Sequence, residues 1–286
     1  MDAAAQQRAM GLLGQFNDEL TRVVDSSFGT QWAEIEEMLA FASIATDPRM
    51  TTRRLAEITR MNRRTVSRMV ARMRQAGLIV TRPSAADRRS VEIAFTADGD
   101  ARLDTLRTAI VEFFVASRAI ARQISEGLGS HAAPRAPVMP SPPLALLRRV
   151  CEAGLALVRA MPDSASEGQL AARQRAALVH IAMTGGGRPQ DLAVALEVSR
   201  AAVAYIVDQL CANGFATRRR GAVPQDRRAV IVEATPAGMG AVQSVMNGIE
   251  RQRETLADLF SEVAAWHPPT GARPPAHDGA EPATLR

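Results

Sequence analysis

The 286-residue chain contains no lysine: all 35 of its basic residues are arginines. Codon usage in a GC-rich genome produces that bias. Arginine is also the side chain suited to phosphates and guanine edges, because its planar fork donates hydrogen bonds in pairs. Aromatic residues make up only 4% of the chain against 47% hydrophobic residues. Its cores must therefore be built from Leu, Val, Ile, Met and Ala, a composition that favours helices. Two cysteines, Cys151 and Cys211, are too few for a disulfide framework or a structural zinc site. Neither has neighbours that would lower a thiol pKa, so both read as buried and inert. The histidines His131, His180, His267 and His277 are scattered without metal-ligand spacing, and no metal or cofactor is expected. "TGGGRP" (184–189) matches neither a P-loop nor a dinucleotide fingerprint and reads as a turn. No Ser/His/Asp set stands out, so an enzyme is not expected. No run of 18 uncharged apolar residues occurs, which excludes a spanning helix. The opening "MDAAAQQRAMGLLGQF" lacks the basic start and apolar core of a signal peptide. The expectation is a reduced, cytoplasmic protein without membrane contact.

What the chain does contain is a duplication. Leu55-Ala56 aligns with Leu192-Ala193, Asn62 with Ser199, Val66 with Val203 and Gly77 with Gly214, all at an offset of 137. "DRRSVEIAFTADG" (87–99) aligns with "DRRAVIVEATPAG" (226–238) at an offset of 139. A two-residue insertion at the tip of a turn between two strands accounts for the change without disturbing either core. Chance does not hold one register across about fifty residues, so the repeat is structural.

Each copy has the same local grammar. Asn62 and Ser199 are helix N-caps after a short helix and a tight turn. Val66, Met69, Val70 and Met73 form an i, i+3, i+4, i+7 stripe, repeated by Val203, Ile206, Val207 and Leu210. Gly77 and Gly214 stand where a helix C′ glycine belongs. Two short strands follow, joined by an arginine-bearing turn, and Thr96 and Thr235 then open long helices over about 97–127 and 236–265. Helical segments precede each unit, around 5–27 and 32–45 and around 144–160 and 167–183. The expected fold is mainly α with small β-hairpins: tandem winged helix-turn-helix domains joined by long outer helices as a fused pseudo-dimer. The first domain is placed at 1–128, a Pro-rich linker at 129–143, the second domain at 144–266, and a tail without apolar periodicity, expected to be disordered, at 267–286.

The series "LAEITRMNRRTVSRMVARMRQAGLIVTR" followed by "DRRSVEIAFTADG", repeated in the second half, resembles the MarR family of bacterial transcription regulators. In that family two chains pair through outer helices, and each places one winged helix on a two-fold operator. The resemblance implies that Arg89, braced by Asp87, and Arg228, braced by Asp226, enter the minor groove. It also implies a pocket for a small aromatic or acidic effector between winged helix and outer helices. Trp32, Met38, Phe41 and Arg53 in the first half, and His180 and Met183 in the second, are candidates to line it. One chain here holds both winged helices. A 15-residue connector reaches roughly 45–50 Å when extended, long enough to join the halves.

The copies differ in charge. The first recognition helix, 62–76, carries Arg63, Arg64, Arg68, Arg72 and Arg74 and no acid; the second, 199–213, carries Arg200 and also Asp208. Asn62, Arg63, Arg64, Thr65, Ser67, Arg68 and Arg72 are the expected DNA contacts of the first helix, with Asp87, Arg88 and Arg89 in its wing. Ser199, Arg200, Ala202 and Tyr205 are those of the second. Arg218 and Arg219, with Arg220, together with Asp226, Arg227 and Arg228, are expected to compensate there by gripping backbone and minor groove. The expected function is a sequence-specific regulator of double-stranded DNA, a repressor on an imperfect palindrome, acting as a monomeric pseudo-dimer or a homodimer. A winged-helix replication initiator, or an interaction scaffold with degenerate DNA binding, are the competing readings.

Overall fold

The computed structural model describes residues 3–29, 32, 34–84, 90–129, 141–160, 170–196, 198–220 and 230–268. In the first half, α1 (Ala3–Phe28) and α2 (Ile35–Thr46) lead into α3 (Thr52–Thr59), α4 (Arg63–Gln75), β1 (Ile79–Pro83) and β2 (Val91–Phe95), then α5 (Ala97–Ala116) and α6 (Arg118–Gly127). The second half repeats this order. It comprises α7 (Pro143–Val158), α8 (Ala172–Thr184), α9 (Pro189–Ala195), α10 (Arg200–Ala212), β3 (Ala216–Arg220), β4 (Val230–Ala234), α11 (Pro236–Arg251) and α12 (Arg253–Ala265). The fold is mainly α with two small antiparallel hairpins, as two winged helix-turn-helix units require.

The local grammar explains why the two units match. Asn62 Oδ1 accepts from the Thr65 N–H at 2.9 Å and Ser199 Oγ from the Ala202 N–H at 3.1 Å, so both recognition helices start on a side-chain cap. Gly77 (φ 72°) and Gly214 (φ 77°) turn the chain out of α4 and α10 in the left-handed region. Ile79 pairs with Phe95 and Ala216 with Ala234, while Pro83 pairs with Val91 and Arg220 with Val230. The offset therefore changes from 137 to 139 between the paired strands, where an insertion leaves the ladder intact. In the glycine-rich turn, Gly187 forms a bridge to Val232, so the expected turn also adds a short edge to the second hairpin.

The helices expected over 97–127 and 236–265 are each broken. Ser117 (φ −81°, ψ 2°) and Gln252 (φ −108°, ψ 12°) leave the helical basin. The bends let α6 run along α12, where Ser125 Oγ donates to the Ala257 carbonyl at 2.9 Å and Arg253 donates to the Leu128 carbonyl at 3.1 Å. The halves share one core: Phe16 of α1 meets Phe260 of α12 edge-on with centroids 5.0 Å apart, and Phe114 of α5 meets Trp266 at 5.5 Å. The Trp266 indole donates to the Ser141 carbonyl at 2.8 Å, fastening the start of the second half to its end. Most of the expected linker (130–140) and tail (269–286) lies outside the described residues.

Candidate nucleic-acid interface and the cavity at the seam

Helix α4 buries Val66, Met69, Val70 and Met73 and leaves Arg63, Arg64, Ser67 and Arg68 exposed on the opposite face. Among the described residues Arg63, Arg64 and Arg68 have no carboxylate partner, so three guanidinium groups project together from the start of the helix. Asn62 and Thr65 belong to the cap: Thr65 donates both its N–H and its hydroxyl to Asn62 Oδ1. Arg72 departs from the expected groove-facing role. It forms an ion pair with the buried Glu37 of α2 and its guanidinium lies 5.1 Å from the Trp32 ring centroid. That contact fixes α4 on α2, because removing Arg72 would leave a buried carboxylate alone. Arg74 reaches the Thr81 hydroxyl at 3.4 Å on the first strand.

The second unit presents a different face. Helix α10 exposes Arg200, Ala201, Ala204, Tyr205 and Asp208, with Ala202 half-buried, and Tyr205 keeps 61% of its surface. Ser199 serves as the cap. Asp208 pairs with Arg218 at 2.6 Å, and Glu233 with Arg219 at 2.5 Å. Two of the three strand arginines expected to compensate, Arg218 and Arg219, thus already face a carboxylate. Such exposed pairs are individually weak, but each carboxylate reduces the positive field a phosphate would meet. The wing residues Asp87, Arg88, Arg89, Asp226, Arg227 and Arg228 lie outside the described residues.

This duplicated arrangement agrees with comparison to known proteins. Models of the MarR family match twice, over residues 34–90 and over residues 170–230. The chain is a MarR-family protein with two MarR-type repeats. No curated protein sequence matches it. The MarR matches run from α2 to the first wing and from before α8 to the second. MarR-family domains are those of DNA-binding transcriptional regulators, which makes this chain one. Among its described residues no helix is long and apolar enough to cross a membrane.

Two further features connect the MarR-type repeats. The first is a contact that sequence reading missed. Arg159, at the end of α7, donates to the carbonyl of Thr59, the last residue of α3. Thr59 is fully buried and precedes Arg60, the only non-glycine residue with positive φ (49°) among the described residues. Desolvation of the guanidinium, and then the neighbouring Arg60, lower the pKa of Arg159, while Glu36 opposes them. The second half thus caps the turn that aims the first recognition helix. No local pattern reveals a partner 100 residues away. Arg159→Ala is expected to weaken operator binding about tenfold, the effect of one lost charge-assisted hydrogen bond, with Arg159→Gln intermediate. Fluorescence anisotropy with labelled duplex checks this.

The second feature is a cavity of about 700 Å³ at the seam between the halves, bounded by α1, α7, α8 and α11. Met38, His180 and Met183, expected from sequence, line it; Trp32, Phe41 and Arg53 do not. Trp32 and Phe41 are core residues, packed edge-on at 5.7 Å, with Phe28 stacked on Phe41 at 4.4 Å. Arg53 is exposed and pairs with Glu57 on its own helix. Cys151 is also at the cavity wall, but burial pushes its thiol up to about 12, so it stays protonated and unreactive. Cys211 is half-buried rather than buried.

Proposed function

We propose that this regulator represses transcription by binding an imperfect palindrome of double-stranded DNA as a fused pseudo-dimer. In this reading the first domain (1–128) reads bases, and the second (144–266) supplies the paired frame and a backbone grip. The observation that carries the proposal is the triad Arg63, Arg64 and Arg68 on the exposed face of α4, without a carboxylate partner among the described residues, set against the alanine-rich face of α10. Arginine reads guanine through paired hydrogen bonds, whereas alanine offers only contact to a thymine methyl. The two wings, with Arg88, Arg89, Arg227 and Arg228 and the bracing Asp87 and Asp226, add minor-groove contacts in the manner the family resemblance implies. Pairing of α6 with α12 inside one chain supports action as a monomer, because the helices that would join two protomers are already matched.

A small molecule in the seam cavity is the proposed release signal. The cavity touches α8, which leads into the second helix-turn-helix, and α1 from the other half, so an occupant bears on the angle between the units. The DNA-binding function is tested by titrating the protein against a duplex obtained by selection from random sequence. Six or more phosphate contacts give a slope of log affinity against log salt of about −5 or steeper. Salt-insensitive, sequence-blind binding would support the scaffold reading instead.

A further inference from the structure

The chemistry of the seam cavity limits what can occupy it. Its wall is mostly apolar, including Leu13, Phe16, Met38, Val150, Val179 and Met183. A volume of about 700 Å³ is within the range of small-molecule sites. Three arginines stand at the wall, Arg22, Arg173 and Arg175. Four carboxylates stand at or just behind it: Asp18 and Glu19 in the lining, Asp25 on Arg173 at 2.8 Å and Glu34 on Arg175 at 3.1 Å. The Arg175 side chain is 11% exposed and also donates to the Leu170 carbonyl, so it is held in place rather than free to turn. An incoming carboxylate would have to displace Asp25 and Glu34 from these arginines and lie beside them, while a neutral molecule meets no such cost.

One polar group at the wall is open to an occupant: among the described residues the half-buried ring of His180 makes no hydrogen bond. A ligand group that donates or accepts would satisfy it.

The cavity is also lopsided. Across the seam α7 lies directly on α2, at a point where a Cβ on Gly154 would come within 2.5 Å of Ile35 Cδ1. Ile35 and Gly154 both line the cavity, so this close approach forms one of its walls, while α1 and α8 stand farther apart on the other side.

We propose that the seam cavity binds one neutral, largely apolar ligand per chain, oriented by a hydroxyl or carbonyl against His180, and selects against carboxylates. This narrows the aromatic or acidic effector expected from sequence to the neutral class, and it rests on the reading of the cavity as the effector site. The test is calorimetric titration of the full chain, without DNA, by 2-naphthalenemethanol and by 2-naphthoate, which share a ring system and differ in charge. The alcohol is expected to bind with one site per chain and at least tenfold more tightly than the carboxylate. Asp25→Asn/Glu34→Gln releases Arg173 and Arg175 and is expected to raise naphthoate affinity at least tenfold. His180→Phe, which keeps the ring plane, is expected to weaken the alcohol by about the same factor. Equal or tighter binding of naphthoate to the wild-type chain, two sites per chain, or no binding of either probe overturns the proposal. Binding of the alcohol that leaves DNA affinity unchanged removes the release role and keeps the ligand class.

Discussion

Replacing Arg64 and Arg68 together by alanine is expected to lower affinity for the preferred operator by at least about 100-fold. Each well-placed arginine contact to a guanine contributes about 1–3 kcal/mol of discrimination, and every 1.4 kcal/mol is about tenfold in affinity. Both side chains are exposed and have no carboxylate partner among the described residues, so their removal costs the folded chain little. The loss should therefore fall on DNA and leave the melting temperature in place. The matching change in the second unit, Arg200→Ala/Tyr205→Ala, is expected to cost less than about tenfold. Arg200 is the sole basic residue of α10, and the neighbouring strand arginines Arg218 and Arg219 are already held by Asp208 and Glu233. Anisotropy titrations of both double variants against one duplex, with thermal melts alongside, check the difference. Equal losses would mean that both helices read bases.

Gly99→Ala is expected to destabilise the protein by about 2–3 kcal/mol, the upper part of the range for overpacking. Thr96 caps α5 by accepting from the Gly99 N–H at 3.0 Å, and it also donates to the Gly77 carbonyl at 2.5 Å. The second half repeats both bonds, from the Gly238 N–H to Thr235 at 3.1 Å and from Thr235 to the Gly214 carbonyl at 2.6 Å. This double use of one threonine draws the start of the outer helix onto the end of the recognition helix. A Cβ on Gly99 would stand 2.0 Å from the Leu78 carbonyl oxygen, and one on Gly238 would stand 2.2 Å from that of Phe215. Backbone atoms on both sides leave no cheap way to make room. The threonine-x-x-glycine pair after each wing is thus a packing requirement of the joint between wing and outer helix. Gly240→Ala is the control, since its Cβ would meet nothing within 4 Å; it is expected to be neutral or to stabilise by up to about 1 kcal/mol. Urea denaturation of the two variants reads these values.

Much of the frame was legible because its determinants are local. The caps Asn62, Ser199, Thr96 and Thr235, the turn glycines Gly77 and Gly214, and the apolar stripes of α4 and α10 each act within a few residues of themselves. The repeat register then placed the change of offset between the strands of each hairpin. What escaped were pairings fixed by tertiary approach. A basic helix suggests a groove-facing Arg72, yet its angular position turns it toward Glu37 on α2 and toward Trp32, which precedes that helix. Sequence alone assigns Arg218 and Arg219 a grip on backbone and minor groove; only the packing of β3 beside α10 shows that Asp208 pairs with Arg218. Trp32 and Phe41 were candidates for the pocket because of their type, and the aromatic cluster with Phe28 takes them into the core. The cavity, the Arg159 cap and the breaks at Ser117 and Gln252 depend on how one half lies on the other.

Fusion explains why the copies could diverge. Two identical chains must present identical reading heads, whereas one chain with two copies is free of that symmetry. Here the first head keeps its arginines and is clamped by Arg159 from the second half. The second carries a single arginine on α10, and Ala195 and Leu196, just before that helix, line the seam cavity. The most direct test scrambles one half of a selected operator at a time and measures the affinity of the unmodified chain for each duplex. Scrambling one half is expected to cost at least about 100-fold and scrambling the other less than about tenfold, as one base-reading head requires. Equal losses from the two halves would contradict the account.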